Sequence, residues 1–490
     1  VKITRRLRID IGVGVGIGLA VGIALALWLP RSARPGDGGA AADPPPGEAR
    51  AMYARRAGPS GSTVLVEPNR ALPLVHVIVA LRSGSAWDGR KKDGLARFAA
   101  EAARRGAAGQ TRAQIDARLD GLGATLTVEV DTDSLRFEGT VLSRHLDAYL
   151  AIVADILLRP DFHGAEVART RRELTAEIDE LRNEDADLAA RFFIRNLYSD
   201  HPYGHPVEGT RVSLERIRRE ELAGFFRQHV VGPNVVFAAG GDVDPDDFAR
   251  RVARIYARLP ATAAPGPNPL AVRDPLPPQG WRIQLVDKPD RQQAQIMFGH
   301  AGVRASHPDY LPLLVAISSF GGHGMKTTLM DEVRTRRGLA YGAYMNLTQR
   351  LGRGAVVGWV FTGTDKAVTT LRLALKLYVT FKDQGIDEAR LAFTKGFLAG
   401  SYAGEMDDPE RRLGARVTAE IVGLSPSFVD ELPARVRAIS AADVRAAVSR
   451  HVRAHDLAIT IVATAARLHP RLVDAKIQPS AIDVVPYDSY

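Results

Sequence analysis

The chain of 490 residues contains no cysteine. Thiolate zinc sites, cysteine nucleophiles, disulfide frameworks and a lipid-modified cysteine anchor are therefore excluded. Its twelve histidines are never preceded or followed by glutamate. Neither His-Glu-x-x-His nor His-x-x-Glu-His, the helical patterns of zinc hydrolases, can then occur. One pair spaced i, i+4, His201 and His205, is followed at each position by proline, in HPYGHPVEGT. Prolines at 202 and 206 prevent an α-helix there, so the two imidazoles do not share a helical ligand face and the segment reads as a surface loop. Aromatic residues make up only 7% of the chain, and no block of basic residues is interleaved with them. The net charge of +9 and pI of about 9.7 come mostly from arginines scattered through helices. This pattern argues against nucleic-acid binding; it suits solubility, acidic partners or an anionic membrane face.

Long apolar runs are scarce too, apart from one. Ile11–Leu29 is uncharged and ended by Pro30, and Lys2, Arg5, Arg6 and Arg8 precede it. At a rise of about 1.5 Å per residue this run reaches just under about 30 Å, enough to cross the hydrocarbon of a bilayer. The basic flank keeps the N-terminal end in the cytoplasm. Residues 1–30 are thus expected to be an inner-membrane anchor, with the body exported to the periplasm. A cleaved signal peptide is the rival reading, because Ala24-Leu25-Ala26 carries small residues at cleavage spacing; the length of the run favours the anchor.

A hydrophobic content of 46% and a charged content of 25% are those of ordinary globular protein, and the length calls for more than one core. Residues 31–60, rich in Gly, Ala and Pro at their start, read as a flexible tether. Seven prolines in Pro260–Pro278 mark residues 261–278 as a semi-rigid linker between two halves, 61–260 and 279–470, with a tail at 471–490. FFRQHVVGPNVVFAAGGDV corresponds to AVSRHVRAHDLAITIVATA, and DFHGAEVARTRRELTAEI to IDEARLAFTKGFLAGSYA, at a similar offset. A fixed offset in the same order implies a duplicated unit. Val75–Leu81 and Val235–Ala239 read as buried strands. Ala124–Val130 and Leu135–Val141 alternate around Asp131-Thr132-Asp133, an antiparallel hairpin with one wet face. Glu166–Leu181 and Asp365–Tyr378 read as helices. The fold class is α+β, two repeats each with a mostly antiparallel sheet and helices packed on it.

The most informative segment is Gly94–Glu101, GLARFAAE, which opens an amphipathic helix with Leu95, Phe98, Ala99 and Ala102 on one apolar stripe. It resembles the active-site helix of the insulinase, pitrilysin and mitochondrial-processing-peptidase family, M16, where His-x-x-Glu-His follows Gly-Leu-Ala. On that resemblance the first His position is Arg97, the Glu is Ala100, the second His is Glu101, and the third ligand is Glu177 on the downstream helix RTRRELTAEIDELRNED. Arg97 has no lone pair to give, Ala100 cannot take a proton from a metal-bound water, and Glu101 with Glu177 alone suits no hydrolytic zinc. No metal, cofactor or catalytic residue is therefore expected, and Arg97 is expected to pair with Glu101 and Glu177 in the metal's place.

The resemblance extends through NLYSDHPYGHPVEGTRVSLERI and FFRQHVVGPNVVFAAGGDVD, and into SSFGGHGMKTTLMDEVRTRRGLAYGAY. It implies two repeats closing like a clam around a chamber. In the family's two-chain members one subunit holds zinc, and the other offers a glycine-rich turn, an Arg and a Tyr to the substrate. Those positions are Gly321, Gly322, Gly324, Arg334 and Tyr341 here. Arg offers a fork of donors, Tyr an amphipathic hydroxyl, and glycine a close backbone approach. The expected function is a non-catalytic, peptide-binding subunit partnered by a zinc-bearing M16 chain. The alternative is a stand-alone peptide-binding or scaffold protein of the cell envelope.

Overall fold

The computed structural model describes residues 53–262 and 274–489, apart from 323, 325, 476 and 478. The candidate membrane segment, and most of the tether, lie outside these residues. Among the described residues no helix is long and apolar enough to cross a membrane.

The short apolar runs bounded by glycine become central strands. The first half supplies β1 (Ala54–Ala57), β2 (Thr63–Pro68), β3 (Leu74–Leu81), β4 (Gly106–Ala107), β5 (Gln110–Thr111), β6 (Thr127–Val130), β7 (Leu135–Leu142) and β8 (Val235–Gly241). The second supplies β9 (Trp281–Asp287), β10 (Gln293–Ala301), β11 (Ala340–Leu347), β12 (Ala355–Gly363), β13 (Leu457–Ala463) and β14 (Pro479–Pro486). The large sheets run β1-β2-β8-β3-β7-β6 and, read from its far edge, β14-β9-β13-β10-β12-β11. In the first sheet β8 slips between β2 and β3 and runs parallel to β2, and in the second β13 slips between β9 and β10 and runs parallel to β9, while the hairpin β6–β7 or β11–β12 extends the other edge antiparallel. The second sheet thus repeats the first over five strands, and β11 takes the edge place of β6; the outer strands differ, β1 running antiparallel to β2 and β14 parallel to β9. The helix Arg219–His229 leads into β8 as Ala441–His451 leads into β13.

Helices cover one face of each sheet and enclose a large apolar core. The other faces are covered by exchange between the halves. Helix Asp185–Tyr198 lays Leu188, Ala189, Phe192 and Phe193 on Met297, Val357, Ala458 and Val462 of the second sheet. Helix Pro409–Ile421 lays Leu413, Val417 and Ile421 on Leu65, Ile78, Ala80, Val236 and Ala238 of the first. Helices handed across thus cover the central strands of both sheets. The hairpin has its expected wet face on the β6 side, where Thr125, Thr127 and Glu129 are exposed, but the β7 side is part-covered: Arg136 Nη2 donates to Thr418 Oγ1 at 2.9 Å and Thr140 Oγ1 to Glu410 at 3.2 Å, both acceptors on the incoming helix.

Buried polar groups bind the halves. Arg416, 3% exposed, bonds Glu67 at 2.9 Å and forks onto both oxygens of Asp430 at 2.9 Å. Tyr203 of the HPYG segment donates its hydroxyl to Asp133 at 2.7 Å and accepts the Gly352 N–H at 2.6 Å. The ends are also tied down. Residues 54–57, placed in the tether by composition, pair with β2, and 479–486, placed in the tail, form an edge strand on β9.

Candidate functional site

The GLARFAAE segment forms the helix Leu95–Ala103. Gly94 precedes it at φ +85°, where a Cβ would meet Gly209 Cα at 2.7 Å, so two glycines from two separate motifs touch backbone to backbone. No side chain of the N-cap residue itself closes this helix. Buried Asp88 instead accepts the N–H of Gly94 at 2.6 Å and of Ala96 at 2.7 Å. Burial pushes that carboxyl well above its ordinary range, and the two N–H groups oppose the shift.

The helix packs along Gly164–Leu181, which carries Glu177. Arg97, 14% exposed, donates through Nη2 to Glu177 Oε2 at 2.5 Å. Ala100 is wholly buried, and Glu101 lies half-buried one turn past Arg97. The pattern continues along both helices: Arg105 bonds Glu173, and the Arg171 guanidinium lies 5.5 Å from the Phe98 ring. The structure therefore brings Arg97 and Glu177 together, as the sequence predicts. Among the described residues, Glu101 and Glu177 belong to no group of three or more His, Asp or Glu side chains close enough to hold an ion. A catalytic zinc does not fit this donor set: a guanidinium occupies the first ligand position, and a methyl group the place of the base.

His201 and His205 do not converge on a ligand. His201 Nδ1 accepts the Tyr203 N–H at 3.1 Å as the cap of a 3₁₀ turn at Pro202–Gly204, and His205 Nδ1 faces Asp93.

In the second half, helix Tyr310–Gly321 ends in the glycine turn. A Cβ on Gly321 would meet Met345 at 2.7 Å, so this glycine lets the helix end lie directly against β11. Gly322 is buried beside it, while Gly324 is exposed at φ +134°. Arg334 sits exposed in a π-helical turn, Asp331–Thr335, in which Arg336 turns back onto Asp331 at 2.9 Å and Arg337 onto Glu332. Tyr341, 73% exposed, is the extra residue of a β-bulge between Ala340 and Gly342 on the edge strand β11. Such bulges re-aim side chains. Its ring stacks on Phe361 at 6.4 Å with the planes 8° apart, Phe361 lies 5.2 Å from Trp359, and Trp359 lies 6.0 Å from Tyr344. The Trp359 indole donates to Gln295 at 3.0 Å. Trp359 and Phe361 were not singled out from the sequence; their spacing of two on a strand was the available sign. Together they make a half-exposed aromatic strip on the second sheet, with Trp359 packed against the apolar cluster that the exchanged helix forms.

The family described as "Insulinase (Peptidase family M16)" matches residues 63–211, and "Peptidase M16 inactive domain" matches 216–396. The chain belongs to peptidase family M16. An uncharacterized zinc protease of Mycobacterium tuberculosis is 26% identical over 400 residues, 80% of this chain and 89% of the relative. The non-peptidase homolog YmxG of Helicobacter pylori is 22% identical over 401 residues, 81% and 91% of the two chains. Among solved structures, a peptidase M16 inactive domain from Pseudomonas fluorescens superposes with a TM-score of 0.77 at 26% identity, covering 84% of this chain and 97% of that one. A chain of complex III2 from Candida albicans has the same fold, with a TM-score of 0.71 at 17% identity over 87% and 99% of the two chains. This chain is an M16 homologue without the zinc motif.

Proposed function

We propose that this chain is the non-catalytic, substrate-binding subunit of a two-chain M16 peptidase, tethered through residues 1–30 to the inner membrane with its body in the periplasm. The observation that carries the reading is the Arg97–Glu177 pair beside buried Ala100, in a fold otherwise kept intact. A zinc-bearing partner supplies the metal and the base. This chain supplies Arg334 and Tyr341, with Gly321, Gly322 and Gly324 shaping the turn next to β11. The edge strand β11 has an open side, so an extended peptide adds to it by main-chain hydrogen bonds, with loose sequence specificity.

The test is to purify the full chain alone and with an M16 chain that retains His-x-x-Glu-His, and to assay an unfolded peptide. The lone chain is expected to cleave nothing and the mixture to cleave. Arg334→Ala and Tyr341→Ala are each expected to lower kcat/KM of the mixture by about tenfold, the loss of roughly 1.4 kcal/mol of transition-state contact, with assembly unchanged by size-exclusion chromatography. Turnover by the lone chain at the rate of the mixture contradicts the proposal. Peptide binding without any assembly with a zinc chain points instead to the scaffold reading. The mass of the N-terminus in membrane-derived protein decides between anchor and cleaved signal.

A further inference from the structure

A cluster of ligand-type side chains lies in the second repeat, away from the helix Leu95–Ala103. His307 and Asp309 stand just before helix Tyr310–Gly321, and His451 ends helix Ala441–His451. One ring nitrogen of each His and one oxygen of Asp309 lie within 4.8 Å of one another, all three side chains being part-exposed. Among the described residues, this is the one group of three or more such side chains with that closeness.

Each group is already oriented. Asp309 Oδ2 faces His451 Nε2 at 2.7 Å, while Oδ1 is held by Arg450 Nη2 at 2.8 Å. His307 Nδ1 accepts the Asp309 N–H at 3.0 Å, and the two imidazoles cross edge to face with centroids 5.1 Å apart. The equivalent position in the first half, His229 at the end of Arg219–His229, faces the Ser83 hydroxyl at 3.0 Å instead of a carboxylate. The carboxylate and the second imidazole thus belong to the second half alone.

We propose that His307, Asp309 and His451 form a surface site for a divalent transition metal of the zinc, cobalt and nickel class. Two imidazoles and one carboxylate select these ions over magnesium and calcium, which take oxygen-rich shells. The metal enters between His451 Nε2 and Asp309 Oδ2, and the ring hydrogen shared there moves through solvent to Nδ1, which frees the Nε2 lone pair for the ion. Arg450 keeps the other oxygen and orients the carboxylate from behind. His307 gives up its bond to the Asp309 N–H when its ring turns to the metal, and water completes the shell. The ion would staple the start of the helix that carries the glycine turn to the end of the helix that feeds β13. The inference does not depend on the peptidase-subunit reading.

The test is Co(II) titration of chelator-treated full chain, read by visible d–d absorption, together with thermal unfolding with and without Zn(II). The expected result is one Co(II) per chain, displaced by zinc, and a rise in Tm with zinc. His307→Ala and His451→Ala are each expected to weaken Co(II) binding by at least about tenfold and to abolish the Tm rise, whereas His229→Ala leaves the binding unchanged. Metal-free circular dichroism shows whether each variant folds; His307→Ala, altered on a part-exposed loop, gives the decisive answer if His451→Ala does not. Equal binding by wild type and His307→Ala, or no binding by wild type at about millimolar metal, overturns the proposal.

Discussion

At position 97 an arginine does what a metal does elsewhere in the family: it sets a positive charge against Glu177. The two differ in that a guanidinium carries no activated water. Because Glu177 is 37% exposed, the pair contributes modestly, and Arg97→Ala is expected to cost about 1 kcal/mol in denaturant unfolding. Ala100→Glu is a harsher change. It puts a carboxylate where the methyl is 0% exposed with no base function to perform, and is expected to cost about 3 kcal/mol or more. Restoring Arg97→His and Glu101→His along with Ala100→Glu rebuilds the donor set beside Glu177. That triple variant is expected to hold one zinc more per chain than the parent, by metal analysis. The lost chemistry was legible because it turns on residue type alone: no rotamer lets Arg97 donate a lone pair. The trio His307, Asp309 and His451 was not legible, because two of its members stand together and the third is brought in only by the packing of two helices.

The elements that position the candidate substrate residues depend on close backbone approach. Gly321→Ala brings a Cβ to within 2.7 Å of Met345, so either the helix end or β11 must shift. This variant keeps both Arg334 and Tyr341 in the sequence but disturbs the elements that aim them, and is expected to weaken peptide binding to the two-chain assembly several-fold, measurable by fluorescence anisotropy of a labelled peptide. Strands β3 and β8 were readable from Val75–Leu81 and Val235–Ala239 because runs of β-branched residues between glycines have few other uses. The hairpin was readable, and so was its exposed face at Thr125, Thr127 and Glu129, but not the cover over β7. Alternation reports which residues share a face, and the helix that covers Arg136 and Thr140 lies far along the chain. The bulge at Tyr341 and the π-turn at Arg334 leave no periodic trace, although both re-aim the residues that carry the proposed binding. Likewise β14 could not be assigned from a tail of mixed polarity, since its stability comes from pairing with β9.

For the whole molecule, the exchange of helices makes each half finish the other, so one cooperative unfolding transition is expected. Arg416→Ala leaves Glu67, 4% exposed, with a buried charge that has lost a partner, and is expected to cost about 3–5 kcal/mol. Acidity acts on the same contacts. Burial, with Glu129 alongside, pushes the Glu138 carboxyl up to about 7, and burial pushes Asp133, at the Tyr203 contact, up to about 6. Both bind a proton more tightly folded than unfolded, so their stabilisation is full below the ordinary carboxylate range and is lost as pH rises through those values. Glu173, paired with Arg105, is held low and works in the opposite sense, losing its contribution as pH falls. Stability is therefore expected to peak at about pH 5–6 and to fall by about 2–3 kcal/mol toward pH 8, with Glu138→Gln flattening that fall. The central claim concerns turnover, and one experiment meets it most directly: peptide hydrolysis by the purified full-length chain, alone, with zinc in excess. No cleavage above the no-protein rate is predicted. Cleavage that disappears on Glu177→Gln would mean that the helix Leu95–Ala103 still serves a working hydrolytic centre.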